Sequence, residues 1–184
     1  MTDNIATLDL SISTVTYVNA LGDPNQSVFF AGMGMFAGLL FSNMGAAFGT
    51  AKSGVGIVTV ATTRPDLIFK SIIPVVMSGI LGIYGLIIAV LLSIKLKPVP
   101  MTEEALGDPA GWNLTYYACY RYFAAGLCCG LSCLASGLCI GVVGEKGVLG
   151  NAQRDIMIAI VLMMIFAEAL ALYGFIVGVI LASV

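Results

Sequence analysis

The chain has 184 residues, of which 59 % are hydrophobic and 10 % are charged, and its mean hydropathy is +1.02. Soluble domains carry about 25 % charged residues, so this composition excludes a water-soluble globule and indicates a membrane protein. The net charge of −2, without a basic patch and interleaved aromatic residues, argues against nucleic-acid binding. Histidine is absent, which excludes Ser-His-Asp and Cys-His catalysis and any metal site that depends on imidazole.

The first 26 residues form a polar segment that has neither a basic beginning nor a continuous apolar core. A cleaved signal peptide has both features. We therefore expect residues 1–26 to be a polar N-terminal tail, and the first membrane span to act as the insertion signal.

Four charge-poor runs follow the tail, at 24–51, 71–94, 122–144 and 156–184. Each exceeds the roughly 20 residues that cross about 30 Å of hydrocarbon. The first helix is expected to continue past Lys52 towards Val60, whereas the third is expected to end before a "GEKG" connection at 144–147. The predicted domains are the tail, a first helical hairpin at 27–95, a connecting loop at 96–114 and a second helical hairpin at 115–184.

The distribution of cations predicts the orientation. With four spans, both termini share one side of the membrane with the loop at 96–114. Five cations lie near the connections between the first and second and between the third and fourth spans, whereas three lie on the side of the termini. The positive-inside rule therefore places these two connections in the cytosol and the termini in the lumen. The five are Lys52, Arg64, Lys70, Lys146 and Arg154, and the three are Lys95, Lys97 and Arg121.

The chain contains a tandem repeat. Four glycines of the first span recur in the third with the same intervals of 4, 7 and 4 residues and a constant offset of 92. "IYGLIIAVLLS" from Ile83 similarly resembles "LYGFIVGVILA" from Leu172, at an offset of 89. Each unit crosses the membrane twice, so the two copies form a parallel repeat and not an inverted one. The eight glycines are Gly34, Gly38, Gly45, Gly49, Gly126, Gly130, Gly137 and Gly141.

These glycines predict how the helices pack. Residues four and seven apart stand on one face of a helix. In lipid no hydrophobic force drives helices together, so association depends on close approach at small residues. We expect the first and third spans to form a tight inner layer, with the second and fourth outside, towards lipid. The predicted fold is an all-α membrane protein with four transmembrane helices in two tandem hairpins.

Glu168 is the one charge inside the four runs, and at the offset of 89 it corresponds to Gly79. A carboxylate at the centre of a membrane helix costs about 2.5–3.5 kcal/mol, so we expect it to be neutral in lipid and ionised where water or a cation reaches it. This behaviour suits a proton carrier. The alternative is a structural acid held by an interhelical hydrogen bond. The neutral candidate neighbours are Ser78, Tyr84, Ser132 and Ser136.

Neither a metal site nor a cofactor is expected. Sodium prefers several oxygen ligands, and the second span has no Gln, Asn or Thr near Gly79, which favours the proton. The five cysteines all lie at or within the third span, without a C-x-x-C motif, and are interpreted as packing residues.

Three long segments carry a resemblance that covers all four spans: "GAAFGTAKSGVGI", "RPDLIFKSIIPVVMSGILGIYGLIIAVL" and "IFAEALALYGFIVGVIL". They resemble the proteolipid c-subunits of eukaryotic vacuolar-type (V-type) ATPases. The resemblance implies a ring of such subunits, in which Glu168 is the proton-carrying residue and H+ is the transported ion. In related rings a tyrosine of the second helix bonds the carboxyl, a role that falls on Tyr84. Ser78 and Ser136 remain further candidate neighbours.

The resemblance also implies partners and a location. The partners are homologous c-type subunits, the a-subunit with its half-channels and arginine, the d-subunit and the central stalk on the cytosolic face, and the lipid bilayer. The chain is then a non-catalytic subunit of an ATP-driven pump in a vacuolar, endolysosomal or other acidic-organelle membrane.

Three alternatives remain open. A paralogous c′-like subunit of the same ring has the acid in the same helix. A passive pore-forming proteolipid is disfavoured because no span carries a row of polar residues. A secondary transporter is disfavoured by the parallel repeat and the single charge.

Overall fold

The computed structural model describes residues 24–96 and 116–183, and within these ranges the regular structure is entirely helical. The four long helices are α1 (Pro24–Thr63), α2 (Ile73–Lys95), α3 (Tyr116–Gln153) and α4 (Met157–Ser183). All four are long and apolar enough to cross a membrane, which confirms the predicted fold class. The predicted loop at 96–114 and tail at 1–26 lie outside the described residues, except for residue 96 and the last three residues of the tail, which begin α1.

Two of the helices are much longer than a bilayer requires. α1 and α3 have 40 and 38 residues, or almost 60 Å at 1.5 Å per residue. α1 continues past Lys52, as expected, and ends at Thr63. The expected end of the third span was wrong, because the "GEKG" segment at 144–147 lies inside α3.

The contact between α1 and α3 explains this difference. Lys52 Nζ lies 3.4 Å from Glu145 Oε2, so the carboxylate of the "GEKG" segment pairs with the neighbouring helix. Beyond this pair, a Cβ added at Gly56 would lie 2.9 Å from the Glu145 carbonyl oxygen, so the two backbones stay in contact. Each helix therefore supports the other beyond this ion pair, and both exceed the length that a bilayer requires.

The most extensive helix contact in the described part of the chain joins α1 to α3, and all eight repeat glycines lie in it. A Cβ added at Gly38 would lie 3.3 Å from Gly126 Cα, and one at Gly137 would lie 2.6 Å from Gly45 Cα. Non-bonded carbon atoms prefer about 3.5–4.0 Å. The two backbones thus approach as closely as glycine allows.

α2 and α4 pack against this pair from one side. α2 contacts both α1 and α3, whereas α4 contacts α3 and, less extensively, α2. Leu81 and Ile88 of α2 and Met164 of α4 are buried in the resulting core. The outer faces of both helices expose large apolar side chains, such as Ile83 and Phe166, which suit contact with lipid.

Short connections at the same end make both hairpins antiparallel. Between α1 and α2 lie a 3-10 turn at Pro65–Leu67 and a single α-helical turn at Ile68–Ser71. Between α3 and α4, the backbone N–H of Ile156 donates to Asn151 Oδ1 at 3.2 Å. Because the hairpins follow each other in the same direction, the structure has the parallel arrangement that the repeat predicts.

We expect Gly137→Ala to destabilise the chain by roughly 1–3 kcal/mol, the usual cost of overpacking. The three atoms nearest to the added Cβ all belong to the backbone of Gly45, and a backbone cannot yield as a flexible side chain can. The matched control is Gly54→Ala in α1, where nothing lies within 4 Å of the new Cβ. The measurement is the temperature at which each purified variant loses its monodisperse elution in detergent. Equal temperatures for the two variants would contradict the glycine contact.

Candidate functional site

Glu168 lies near the middle of α4 and is half-buried. On one side, Ala167 and Ala171 are buried against the core. On the other, Phe166 and Leu170 are 67 % and 57 % exposed. The carboxyl group therefore stands at the boundary between the protein core and the apolar outer surface of the described chain.

Tyr84 of α2 is the side chain that reaches this carboxyl. Its hydroxyl donates to Glu168 Oε1 at 3.4 Å, which is long for a hydrogen bond. The Tyr84 ring stacks on Phe175 with the centroids 5.1 Å apart and an angle of 28° between the planes. The structure thus brings Tyr84 and Glu168 together across the contact of α2 with α4.

Sequence reasoning missed Phe175. It follows Glu168 by seven residues, so both side chains stand on one face of α4. This spacing was the available signal, because a residue that packs against the partner of Glu168 must share its face. By stacking on Tyr84, Phe175 limits the directions in which the phenol can point.

The candidate serines donate to backbone carbonyl groups. Ser136 Oγ of α3 donates to the Ala167 carbonyl at 2.7 Å, and Ser78 Oγ of α2 donates to the Ala46 carbonyl at 2.9 Å. Ser132 Oγ bonds the Cys129 carbonyl of its own helix at 2.9 Å. A serine hydroxyl has a single hydrogen to donate, so none of the three donates to Glu168 in this arrangement. Ser136 instead holds the backbone of α4 one residue before the acid.

Within the described residues, Glu168 takes part in no ion pair. The ion pairs found there join Lys52 and Lys146 to Glu145, in the extended ends of α1 and α3. The same residues contain no group of three or more His, Cys, Asp or Glu side chains that could hold a metal. Among the described residues the site thus consists of one carboxyl group and one phenol. The carboxyl can gain or lose a proton there without a fixed counter-charge beside it.

Comparison with known proteins gives the family. The family model of the ATP synthase C-subunit matches the chain twice, at residues 29–92 and 123–181. The 16 kDa proteolipid c-subunit of the V-type proton ATPase of Rattus norvegicus is 47 % identical over 162 residues, which cover 88 % of this chain and 96 % of the relative. The chain belongs to the V-type ATPase proteolipid family.

Other relatives agree with this assignment. The corresponding 16 kDa proteolipid of the V-type proton ATPase of Homo sapiens is 46 % identical over 161 residues, 87 % of this chain and 95 % of its own length. The V-type proton ATPase 16 kDa proteolipid of Chrysotila carterae is 49 % identical over 163 residues, 87 % of this chain and 93 % of its own length. With four helices able to span a bilayer, this proteolipid is an integral membrane protein.

The double match of the family model also confirms the tandem repeat. Each match covers one hairpin of the proteolipid, but the hairpins differ at the position of the acid. Gly79, which corresponds to Glu168, is exposed on α2, and nothing lies within 4 Å of the Cβ that a larger residue would place there. The first hairpin therefore keeps the family fold without its own ionisable group at this position.

We expect Tyr84→Phe to raise the rate at which a hydrophobic carbodiimide labels Glu168. The variant keeps the ring on Phe175 but removes the hydroxyl that contacts the carboxyl. Loss of a hydrogen bond of about 1 kcal/mol corresponds to a roughly five-fold increase in the labelling rate. Mass spectrometry of the labelled peptide gives the rate. Tyr117→Phe, at the first turn of α3, is the control. An unchanged rate in Tyr84→Phe would show that the 3.4 Å contact does not govern access to the carboxyl.

We expect Ser136→Ala to lower the free energy of unfolding by about 0.6 kcal/mol, the average for an interhelical hydrogen bond in a membrane protein. It removes the bond from α3 to the Ala167 carbonyl. Ser183→Ala is the control, because its exposed hydroxyl bonds the Ile180 carbonyl of its own helix. Denaturant titration in mixed micelles measures both variants. An equal or greater loss in Ser183→Ala would contradict the role given to Ser136.

Proposed function

We propose that this proteolipid is a proton-translocating member of the rotor ring of a V-type ATPase, and that each copy carries one proton on Glu168. The observation that supports this most directly is the placement of Glu168 at the boundary between the protein core and the apolar outer surface of α4. Its one hydrogen-bonding contact in the described chain is the hydroxyl of Tyr84. The names of the relatives, which place them in V-type proton ATPases, support the same function.

The chemistry of the site fits alternate loading and release of a proton. A protonated carboxyl is neutral and can move past lipid, whereas an ionised carboxylate is costly there. A phenol can donate a hydrogen bond to a carboxylate and can accept one from a carboxylic acid. Tyr84 can therefore accompany both states of Glu168 without neutralising the charge.

In the proposed cycle, the ring turns each Glu168 between two half-channels of the a-subunit. The carboxyl takes a proton from the cytosolic half-channel and crosses the lipid-facing part of the circle in its neutral form. It releases the proton to the lumenal half-channel next to the arginine of the a-subunit, which favours the carboxylate. ATP hydrolysis in other subunits drives the rotation, so this chain needs no cofactor.

The shape of the chain supports the proposed partners and orientation. α1 and α3 are longer than a bilayer requires, and in our proposal they leave the hydrocarbon region at the end that carries Lys52 and Glu145. This end, with the two short connections, is the cytosolic face in our proposal and offers a surface to the d-subunit and the central stalk. The termini are then lumenal, in the membrane of a vacuole, endolysosome or other acidic organelle.

We expect Glu168→Gln to reduce ATP-driven acidification of vesicles to background while the ring still assembles, because glutamine has similar size but binds no proton. Glu168→Asp should retain part of the activity, since the carboxyl remains on a shorter side chain. Quenching of a pH-sensitive dye measures pumping, and a native gel measures assembly.

Glu145→Gln is the matched control for this experiment, because it removes a carboxylate from the extended part of α3 and not from the proposed carrier site. It should continue to pump. Undiminished acidification by a ring built only of Glu168→Gln chains would disprove the carrier role.

A further inference from the structure

The first hairpin has an open groove where the second hairpin has its acid. The groove lies between α1 and α2, has a volume of about 320 Å³, and is lined by residues that include Gly79 and Gly82 of α2 and Leu39 and Asn43 of α1. A Cβ at Gly79 would meet no atom within 4 Å. The groove is thus a real gap in the outer surface, at the depth of Glu168 in the repeat.

Asn43 is the polar side chain of this otherwise apolar groove. It is exposed, and its Oδ1 lies 2.9 Å from the point that a Cβ of Gly82 would occupy, so the amide borders the floor of the groove. No hydrogen bond joins it to another side chain or backbone group among the described residues. An amide at membrane depth without a partner is costly, so a polar group supplied from outside the chain would lower this cost.

The internal repeat indicates which surface covers this groove. At the offset of 89, Gly79 and Leu86 of the groove correspond to Glu168 and Phe175. Within the chain, Glu168 and Phe175 are covered by Tyr84 of the other hairpin. If hairpins follow one another round a ring with the same packing, the tyrosine equivalent to Tyr84 must cover Gly79.

That tyrosine is Tyr173, and it points away from its own first hairpin. It precedes Phe175 by two residues, so the two side chains are about 200° apart round α4. Phe175 faces Tyr84 of α2, and the Tyr173 side chain is 62 % exposed. Tyr173 is therefore free to contact another copy of the chain.

We propose that Tyr173 of one copy inserts into the groove at Gly79 and Gly82 of the next copy, where its hydroxyl bonds the side-chain amide of Asn43. This inference rests on the proposed ring. Gly79 leaves open the space that a carboxyl occupies in the second hairpin, and Asn43 provides a neutral partner in place of the acid. Two kinds of contact then alternate round the ring. Within a chain a tyrosine contacts a carboxyl group, and between neighbouring chains a tyrosine contacts an amide.

The contact can be tested by cross-linking in the assembled ring. Chains with Gly79→Cys and one epitope tag are co-expressed with chains that carry Tyr173→Cys and a second tag. A bismaleimide about as long as a tyrosine side chain links the new thiols, and denaturing gels detect dimers that carry both tags. Both substitutions are mild, because the Cβ of residue 79 has open space and residue 173 is exposed.

Leu172→Cys replaces Tyr173→Cys in the matched control. Leu172 is at the same depth and also exposed, but it is turned by about 100° round α4. In two further controls, chains with one new cysteine are co-expressed with native chains. These controls detect dimers that form through Cys139, which is itself exposed. We expect mixed dimers from the pair of residues 79 and 173, and their loss to background in all controls.

A second measurement tests the hydroxyl and the amide. Asn43→Leu and Tyr173→Phe should each lower the temperature at which the purified ring dissociates. The double variant should dissociate at the temperature of the less stable single variant, because both remove the same bond. Additive losses overturn the bond between Asn43 and Tyr173.

The outcomes separate this inference from the proposed function. A ring that is intact on a native gel, without a mixed dimer from residues 79 and 173, overturns the inference and leaves the proton carrier untouched. This result is also expected if lipid fills the groove. Chains that remain monomeric contradict the ring, and with it both proposals. Failure of Glu168→Gln to stop pumping contradicts the carrier alone.

Discussion

The close backbone contact of α1 with α3 is the constraint on which the rest of this structure depends. Lipid provides no hydrophobic force between helices, so this pair relies on approach at distances that exclude side chains, as at Gly137 against Gly45. α2 and α4 pack on the resulting layer, and their relative register follows from it. A shift of a single residue, about 1.5 Å along the axis, would separate the Tyr84 hydroxyl from Glu168, because their 3.4 Å contact is already long.

Two serine bonds attach the outer helices to the inner layer at the depth of the acid. Ser78 of α2 donates to Ala46 of α1, and Ser136 of α3 donates to Ala167 of α4. Ser78 and Ala167 are equivalent at the repeat offset of 89. The hairpins therefore fix the same point of their outer helix by opposite means, with the outer helix donating in one and accepting in the other. In the second hairpin the bond is made to the backbone of Ala167, so the next residue, Glu168, keeps its side chain free of this bond while the helix beside it is held in place.

The sequence predicted what depends on local pattern. Charge-free length defined the four spans, and glycine spacing defined both the repeat and the inner contact. The end of α3 could not be predicted in this way, because the partner of Glu145 is Lys52, on another helix of the other hairpin. The bonds of Ser78 and Ser136 were equally hidden, since a hydroxyl bonds whichever carbonyl the packing places next to it. Tyr84 was predicted from the family resemblance, because a known family shows which distant residues contact each other and the intervals between residues do not.

The difference between the hairpins lies in side chains and not in the backbone, and this bears on the proposed mechanism. Both hairpins keep the glycine face, yet at the position of Glu168 only the second has a carboxyl, and the equivalent groove of the first is bordered by the amide of Asn43. An amide does not exchange its charge state in the range in which a carboxyl does. In the proposed mechanism, a ring of such duplicated hairpins carries one proton for every two hairpins. With the same work available per turn, fewer protons allow each to be moved against a steeper gradient, which suits a pump better than a synthase.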